Sequence, residues 1–247
     1  MTSPLILPQL STASTSFPDV ETALREPDGL LAWDGDLSPA RLLNAYQNGI
    51  FPWCSEDEPL LWWSPSQRMV LTFDNLHISH SLKKRLKKMQ REPQGALEVR
   101  LDSAFEDVIR ACASKKRSGQ HGTWIAEDFI QAYTQLHYLG YAHSVETWCD
   151  NQLVGGLYGV SIGKMFYGES MFSYQTDSSK IALVFLMSYL AQQDVYLIDC
   201  QQDTPHLSSM GGHCIARKTF SAHLQRVCPL APIQWQKGYL SPDILKF

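Results

Sequence analysis

The segment LIDCQQDTPHL carries the sharpest chemical signal in the chain. In an extended strand, Asp199 and Gln201 share one face while Cys200 points to the other. A carboxylate and an amide so placed can act as one hydrogen-bonded unit. Asp199 accepts from the Gln201 NH2 and turns the amide oxygen outward as an acceptor of raised basicity. The alternative is that Asp199 ends the strand and caps a neighbouring turn. Glu169, in MFYGESMF, is a second carboxylate, set among aromatic and methionine side chains. It is either a ligand for a cation or a satisfied structural pair.

Other patterns fail on inspection. In GGLYGVSIGKM, a phosphate loop would need glycine where Tyr158 stands and Ser or Thr where Met165 stands. The glycines suit a strand approached closely by other backbone. Cys200, Cys214, Cys228, His206 and His213 are too widely spaced for a zinc set, so no metal is expected. Cys200 as a nucleophile would need a histidine partner, and a cysteine in an apolar strand is more often buried structure.

The elements that must position these groups follow from local pattern. The first 26 residues, rich in Ser, Thr and Pro, read as irregular. Ser38 and Pro39 open a helix that Gly49 ends. Residues 50–67 are too interrupted by Trp and Pro for regular structure. A strand is expected at 68–73, and a helix at 79–90 with Leu82, Leu86 and Met89 on one stripe. Residues 97–101 form a short strand, and Asp102 caps the helix after it. An amphipathic helix at 127–138 closes at Gly140. Strands 144–149 and 152–158 pair through the Asp150-Asn151 turn, and a further strand runs through 161–167. A buried helix at 178–191 leads to the strand at 195–201. A short helix starts at Thr204-Pro205, and a last one covers 220–227. Helices and strands interleaved around a mixed sheet define an α/β (α+β) protein.

Composition bounds the remainder. The 247 residues are 44% hydrophobic and 19% charged, which excludes disorder and supplies a core. The longest strongly apolar run, 181–187, is far short of the roughly 20 residues a membrane span needs. No Lys or Arg precedes the apolar patch of MTSPLILPQL, so a secretory signal is not expected. Six cysteines without a CxxC pair read as reduced thiols of a cytoplasmic protein. The net charge of −4 divides unevenly, at −7 over residues 1–60, +6 over 61–120 and −3 over 121–247. The basic block holds Lys83, Lys84, Arg85, Lys87, Lys88 and Arg91, together with Lys115 to Arg117. Such a patch suits a polyanion, or it is the wet face of a helix.

Four stretches together resemble the bacterial leucyl/phenylalanyl-tRNA–protein transferases: FPWCSEDEPLLWWSPSQRMVL, GTWIAEDFIQAYTQLHYLGYAHSVETW, LVGGLYGVSIGKMFYGESMFS and LIDCQQDTPHLSSMGG. They are collinear with that family from about Leu31 to Phe220. The resemblance implies a small N-terminal domain (1–75) before an acetyltransferase-like (GNAT) catalytic domain (76–247) with a mixed sheet. It also implies transfer of Leu, Phe and, less well, Met from aminoacyl-tRNA to the α-amine of an N-terminal Arg or Lys. That product is marked for degradation by the N-end rule. No cofactor and no membrane are implied, and the chain is expected to act as a monomer. The GNAT pyrophosphate loop is missing, which fits an aminoacyl-tRNA donor. A CoA-dependent GNAT N-acyltransferase and a non-catalytic tRNA-binding module are the competing readings.

By motif, the resemblance gives Asp199 and Gln201 the catalytic relay and Glu169 the acceptor's basic end. Trp62 and Trp124 would line the site for the terminal adenosine and the acceptor peptide. Leu157, Phe166, Met171, Leu183 and Ile198 would form the pocket for the donor side chain, with Leu157 standing where relatives often have Met. The chemistry is self-consistent, because an aminoacyl ester is already activated and its aminolysis runs downhill without ATP. The attacking α-amine has a reference pKa of about 7.7–8.0, so a useful fraction of it is neutral near pH 7. Helix 83–91 would hold the acceptor-stem backbone without reading sequence.

Overall fold

A computed structural model describes residues 7–55, 58–93, 95–114 and 126–246. The N-terminal part builds a small sheet from β1 (Gln9–Leu10), β2 (Leu30–Asp34), β3 (Phe51–Pro52) and β4 (Leu61–Trp63), in the order β1-β2-β4-β3. Helix α1 (Pro39–Gln47) connects β2 to β3; the Ser38 hydroxyl accepts from the Arg41 amide at its start, and Gly49, at φ 72°, follows its end. The stretch expected to be irregular therefore contains two strands. Both pair there because burial of Trp62 and Trp63 sets β4 between β2 and β3.

The larger sheet comprises β5 (Gln67–Thr72), β6 (Leu97–Leu101), β7 (Ala142–Cys149), β8 (Gln152–Ile162), β9 (Met165–Ser173), β10 (Leu197–Gln201), β11 (His213–Ala216) and β12 (Gly238–Tyr239). Its order is β11-β5-β10-β9-β8-β7-β6-β12. The remaining helices are α2 (His80–Arg91), α3 (Phe105–Ser114), α4 (Glu127–Tyr138), α5 (Ser178–Ala191), α6 (Pro205–Ser209) and α7 (Arg217–Val227). Every neighbouring pair in this sheet is antiparallel except β9 and β10, which α5 joins as a crossover. The sheets are mixed, and the protein is α/β with an N-terminal domain of its own sheet.

Alternation along the strands fills a core on each face. Leu71, Leu157, Phe166 and Ile198 pack with α2 and α5 on one side. Val70, Tyr158 and Tyr167 pack with α3, α4 and the small sheet on the other. Strand β5 lies before residue 75 in the chain, yet it pairs with β10 and β11 in the large sheet. It is buried on both faces, as an interior strand must be. Gly155 lets α5 approach β8, since a Cβ there would lie 2.2 Å from the Ser178 hydroxyl oxygen.

Two further expectations change. The strand expected at 161–167 is divided by a two-residue hairpin turn at Gly163-Lys164, with Ile162 opposite Met165. Apolar residues on both sides, Ile162 before and Met165 to Tyr167 after, make the stretch read as one strand in the sequence. Asp102 does not cap α3. Its carboxylate accepts from the Ser144 amide and lies 2.7 Å from His143 Nδ1, while Glu146 of β7 accepts from the Ser103 and Ala104 amides at the helix start. A cap supplied from 42 residues or more away leaves no local trace. Strands β11 and β12 were not expected from the sequence either; they are short edge strands.

Candidate active site

The site forms where β9 and β10 part. Their parallel pairing covers Ile198 opposite Phe166 and Asp199 opposite Tyr167. Beyond it, Gly168 and Glu169 diverge from Cys200 and Gln201, and a cavity of about 590 Å³ opens between them. Ligands commonly bind where strands of an open sheet separate.

Strand β10 is bulged between Asp199 and Gln201, and Gln201 sits at φ 63°. Asp199 is fully buried and paired bidentately with Arg68, at 2.8 Å from Nε and 2.6 Å from Nη2. The Arg68 guanidinium lies between the Phe51 and Phe220 rings, 4.6 and 4.8 Å from their centroids, and its Nη1 donates to the Gly49 carbonyl. Asp199 also accepts from the Gln201 backbone amide at 2.8 Å. Three hydrogen bonds, two of them from one opposite charge, thus satisfy it in place.

The expected contact between Asp199 and the Gln201 side chain is replaced by another. Gln201 Nε2 donates to Glu169 Oε1 at 2.8 Å. The bulge turns the Gln201 side chain away from Asp199 and into the cavity, which Gln201 and Glu169 line and Asp199 does not. Glu169 accepts two more bonds, from the Tyr46 hydroxyl at 2.8 Å and the Tyr133 hydroxyl at 3.2 Å. Burial raises its pKa to about 7, with the Asp199 charge adding to the rise and the donors from Tyr46, Gln201 and Tyr133 opposing it. No cation pairs with Glu169 among the described residues.

Leu157, Phe166, Met171, Leu183 and Ile198 all line the same cavity, as do Phe51, Trp53 and His206. Burial, with Lys180 nearby, lowers the His206 pKa. Trp62 stands elsewhere: it is fully buried, donates from Nε1 to the Asp34 carbonyl and meets Phe17 edge-on. It has no exposed face for a base to stack on; among the described residues, Trp53 is the tryptophan that lines the cavity. Trp124 and the cluster Lys115 to Arg117 lie outside the described residues. Burial pushes the Cys200 thiol far above its usual range, which disfavours the thiolate that a nucleophile needs.

Helix α2 buries Leu82, Leu86 and Met89 and turns Lys84, Lys87, Lys88 and Arg91 to solvent, with Lys83 half-buried. Arg85 donates to the Thr176 carbonyl and pairs with Asp177 at 3.7 Å. That ties the basic face to the turn between β9 and α5, next to Ser173 and Ser179 of the cavity wall. Sequence reasoning passed over Arg68, Tyr46 and Tyr133. A signal existed for each, because an arginine in an apolar strand and tyrosines on the core faces of helices all need buried partners.

Known proteins share this arrangement of sequence. Residues 70–225 match the leucyl/phenylalanyl-tRNA protein transferase family, and residues 35–66 match the N-terminal domain of that family. The chain is 51% identical over 237 residues to the leucyl/phenylalanyl-tRNA–protein transferase of Bordetella bronchiseptica, covering 95% of this chain and 92% of that one. It is 53% identical over 223 residues to the enzyme of the same name from Burkholderia multivorans, covering 89% and 87%. Among solved structures, L-PGS from Bacillus licheniformis aligns with a TM-score of 0.33 at 10% identity, over 82% of this chain and 64% of that one, too distant to bear on the fold. The chain is thus a transferase that draws on aminoacyl-tRNA. It belongs to the leucyl/phenylalanyl-tRNA protein transferase family. No helix among the described residues is long and apolar enough to cross a membrane.

Proposed function

We propose that this enzyme moves Leu or Phe, and Met less well, from its charged tRNA to the α-amine of an N-terminal Arg or Lys, making a degradation signal. It acts in the cytoplasm as a monomer and needs no cofactor. The observation that carries this reading is the Gln201 amide, held by its NH2 on Glu169 at the wall of an apolar cavity. That bond leaves the amide oxygen as the acceptor available to a substrate amine.

In this reading the donor side chain lies among Leu157, Phe166, Met171, Leu183 and Ile198. Side chains unbranched at Cβ fit such a wall, and its Met and Leu members adapt to small differences in shape. One methylene is worth only about 1–3 kcal/mol in an apolar pocket, so leakage to Met is expected. The acceptor α-amine donates to Gln201 Oε1, which aims its lone pair at the ester carbon. Holding both reactants in this way can remove roughly 7–11 kcal/mol of barrier. Attack forms the C–N bond, the ribose oxygen leaves, and one amine proton goes to that oxygen. Glu169, with no cationic partner among the described residues, attracts the acceptor's guanidinium or ammonium by charge. Asp199 acts through the backbone, keeping Gln201 in its bulged position. The tRNA backbone lies along Lys83, Lys84, Arg85, Lys87, Lys88 and Arg91, and its terminal adenosine meets Trp53 or Trp124.

The catalytic domain is read as GNAT-like. What supports this is the antiparallel run β7-β8-β9 crossing through α5 to a parallel β10 that separates from β9 at the site. The deciding assay measures labelled Leu moved from Leu-tRNA to a peptide that starts with Arg. Transfer is expected; folded protein that gives none overturns the proposal, and acetylation of that peptide from acetyl-CoA would favour the competing enzyme.

A further inference from the structure

Three oxygen centres meet beneath Gln201: the Tyr46 hydroxyl, the Tyr133 hydroxyl and the Glu169 carboxylate. All three pairwise contacts lie within hydrogen-bond distance, at 2.5 Å between the hydroxyls and 2.8 and 3.2 Å from them to the carboxylate. The two phenols own one proton each, and two protons cannot fill three contacts. With Glu169 ionised, Tyr46 donates to Oε1, and Tyr133 donates either to Tyr46 or to Oε2. One more proton, placed on Oε2, completes a closed ring: Oε2 donates to Tyr133, Tyr133 to Tyr46, and Tyr46 to Oε1. The cluster therefore has room for a single proton without moving a heavy atom.

The Gln201 amide is bonded to Oε1 in both states, but not equally. A hydrogen bond to a carboxylate is roughly twice as strong as one to a neutral carbonyl. The ionised form also draws the NH2 proton more strongly and leaves more electron density on the amide oxygen that faces the cavity. We propose that Glu169, braced by Tyr46 and Tyr133, is the positioning residue for Gln201, and that one proton taken up by these three oxygens loosens the amide and slows transfer.

This rests on the reading of Gln201 as the group that orients the acceptor amine. Several titratable or charged groups surround Glu169. Tyr46 reaches it from α1 and Tyr133 from α4, Cys112 of α3, Tyr158 of β8, Cys200 of β10 and His206 of α6 share its cavity, and Asp199 of β10 lies nearby with Arg68 of β5 paired to it. Burial sets the Glu169 pKa at about 7, so the proton is exchanged in the range where transfer is measured. Both phenols are held well above their ordinary range by burial and by the Glu169 charge, so they stay protonated and serve only as donors.

The test is the pH dependence of kcat between pH 5.5 and 8.5, with Leu-tRNA and an Arg-starting peptide both saturating. Wild type should show a rate that rises with pH through about 7. Tyr46→Phe and Tyr133→Phe each remove a donor to the carboxylate, so each should move that rise to higher pH by about half a unit or more. Glu169→Gln keeps the hydrogen bond but has no charge to gain or lose. Its kcat should sit near the low-pH wild-type level, and the rise should vanish except for any part belonging to the acceptor amine. The amine's own titration cannot follow the tyrosines. A rise that stays at the wild-type pH in both tyrosine variants, or that persists unchanged in Glu169→Gln, overturns the proposal. Thermal melting of each variant identifies any loss due to unfolding, and the phenylalanine substitutions keep the ring packing. Absence of transfer by wild-type enzyme at every pH would instead defeat the functional reading itself.

Discussion

Two buried carboxylates flank Gln201, and they are treated in opposite ways. Asp199 faces a guanidinium through two short bonds, and that guanidinium is enclosed by two phenylalanine rings. Among the described residues, Glu169 faces neutral donors: two phenols and an amide. The first is neutralised in place and holds backbone. The second has no counter-charge at its place in the cavity wall and holds a side chain. Burial alone therefore does not identify a working carboxylate; the charge of its partners does.

The most severe way to break this contrast is to remove the cation from the paired side. Arg68→Leu leaves Asp199 buried without its counter-charge and should cost about 3–5 kcal/mol of stability, read from urea unfolding. The double variant Arg68→Leu with Asp199→Leu should recover part of that loss. A single-variant cost below about 1 kcal/mol would mean the pair is not what holds β10 to β5. Removing the group between the two carboxylates has a functional cost instead. Gln201→Ala should lower kcat by roughly 10- to 100-fold, equivalent to about 1.4–2.7 kcal/mol. Binding of Leu-tRNA, followed by filter retention, should stay within about twofold; equal loss of both would deny Gln201 its orienting role.

Two smaller effects sharpen the comparison. Leu183→Ala enlarges the apolar wall and should lower Leu transfer more than Phe transfer, with a relative change of about five- to tenfold in kcat/KM, consistent with the 1–3 kcal/mol carried by a methylene-sized contact. An unchanged Leu-to-Phe ratio would remove Leu183 from the donor pocket. The charged carboxylates should also be visible in stability. Burial raises both Glu169 and Glu146 to about 7 from an ordinary 4.5. Between those values the folded chain holds protons that the unfolded chain lacks, so these two groups make stability fall as pH rises from about 4.5 to 7. Glu146→Gln with Glu169→Gln should flatten the decline of Tm over that window, and a wild-type slope in the double variant would contradict the assignment. Smallest of all, Lys84→Ala or Lys87→Ala on α2 should weaken tRNA binding modestly and reduce its salt slope by roughly one unit each.

Local pattern determined a great deal here. Ser38 with Pro39, the Leu82-Leu86-Met89 stripe, the Asp150-Asn151 turn and the apolar helix at 178–191 each announce an element, because capping, helical period and turn chemistry are written within a few residues. The motifs around Glu169, Asp199 and Gln201 likewise marked the residues near the cavity. Tertiary structure alone decided how these groups are wired. The bulge after Asp199 reverses the expectation of alternating strand faces, because one extra residue in a strand redirects every side chain after it. Glu146 in place of Asp102 at the start of α3, and Tyr46 and Tyr133 from two distant helices on one carboxylate, are contacts across dozens of residues. Hydrogen bonds between groups so far apart in the chain depend on how sheets and helices stack. No periodicity in the sequence encodes them, so the partner that sets each buried charge becomes known only once the chain is folded.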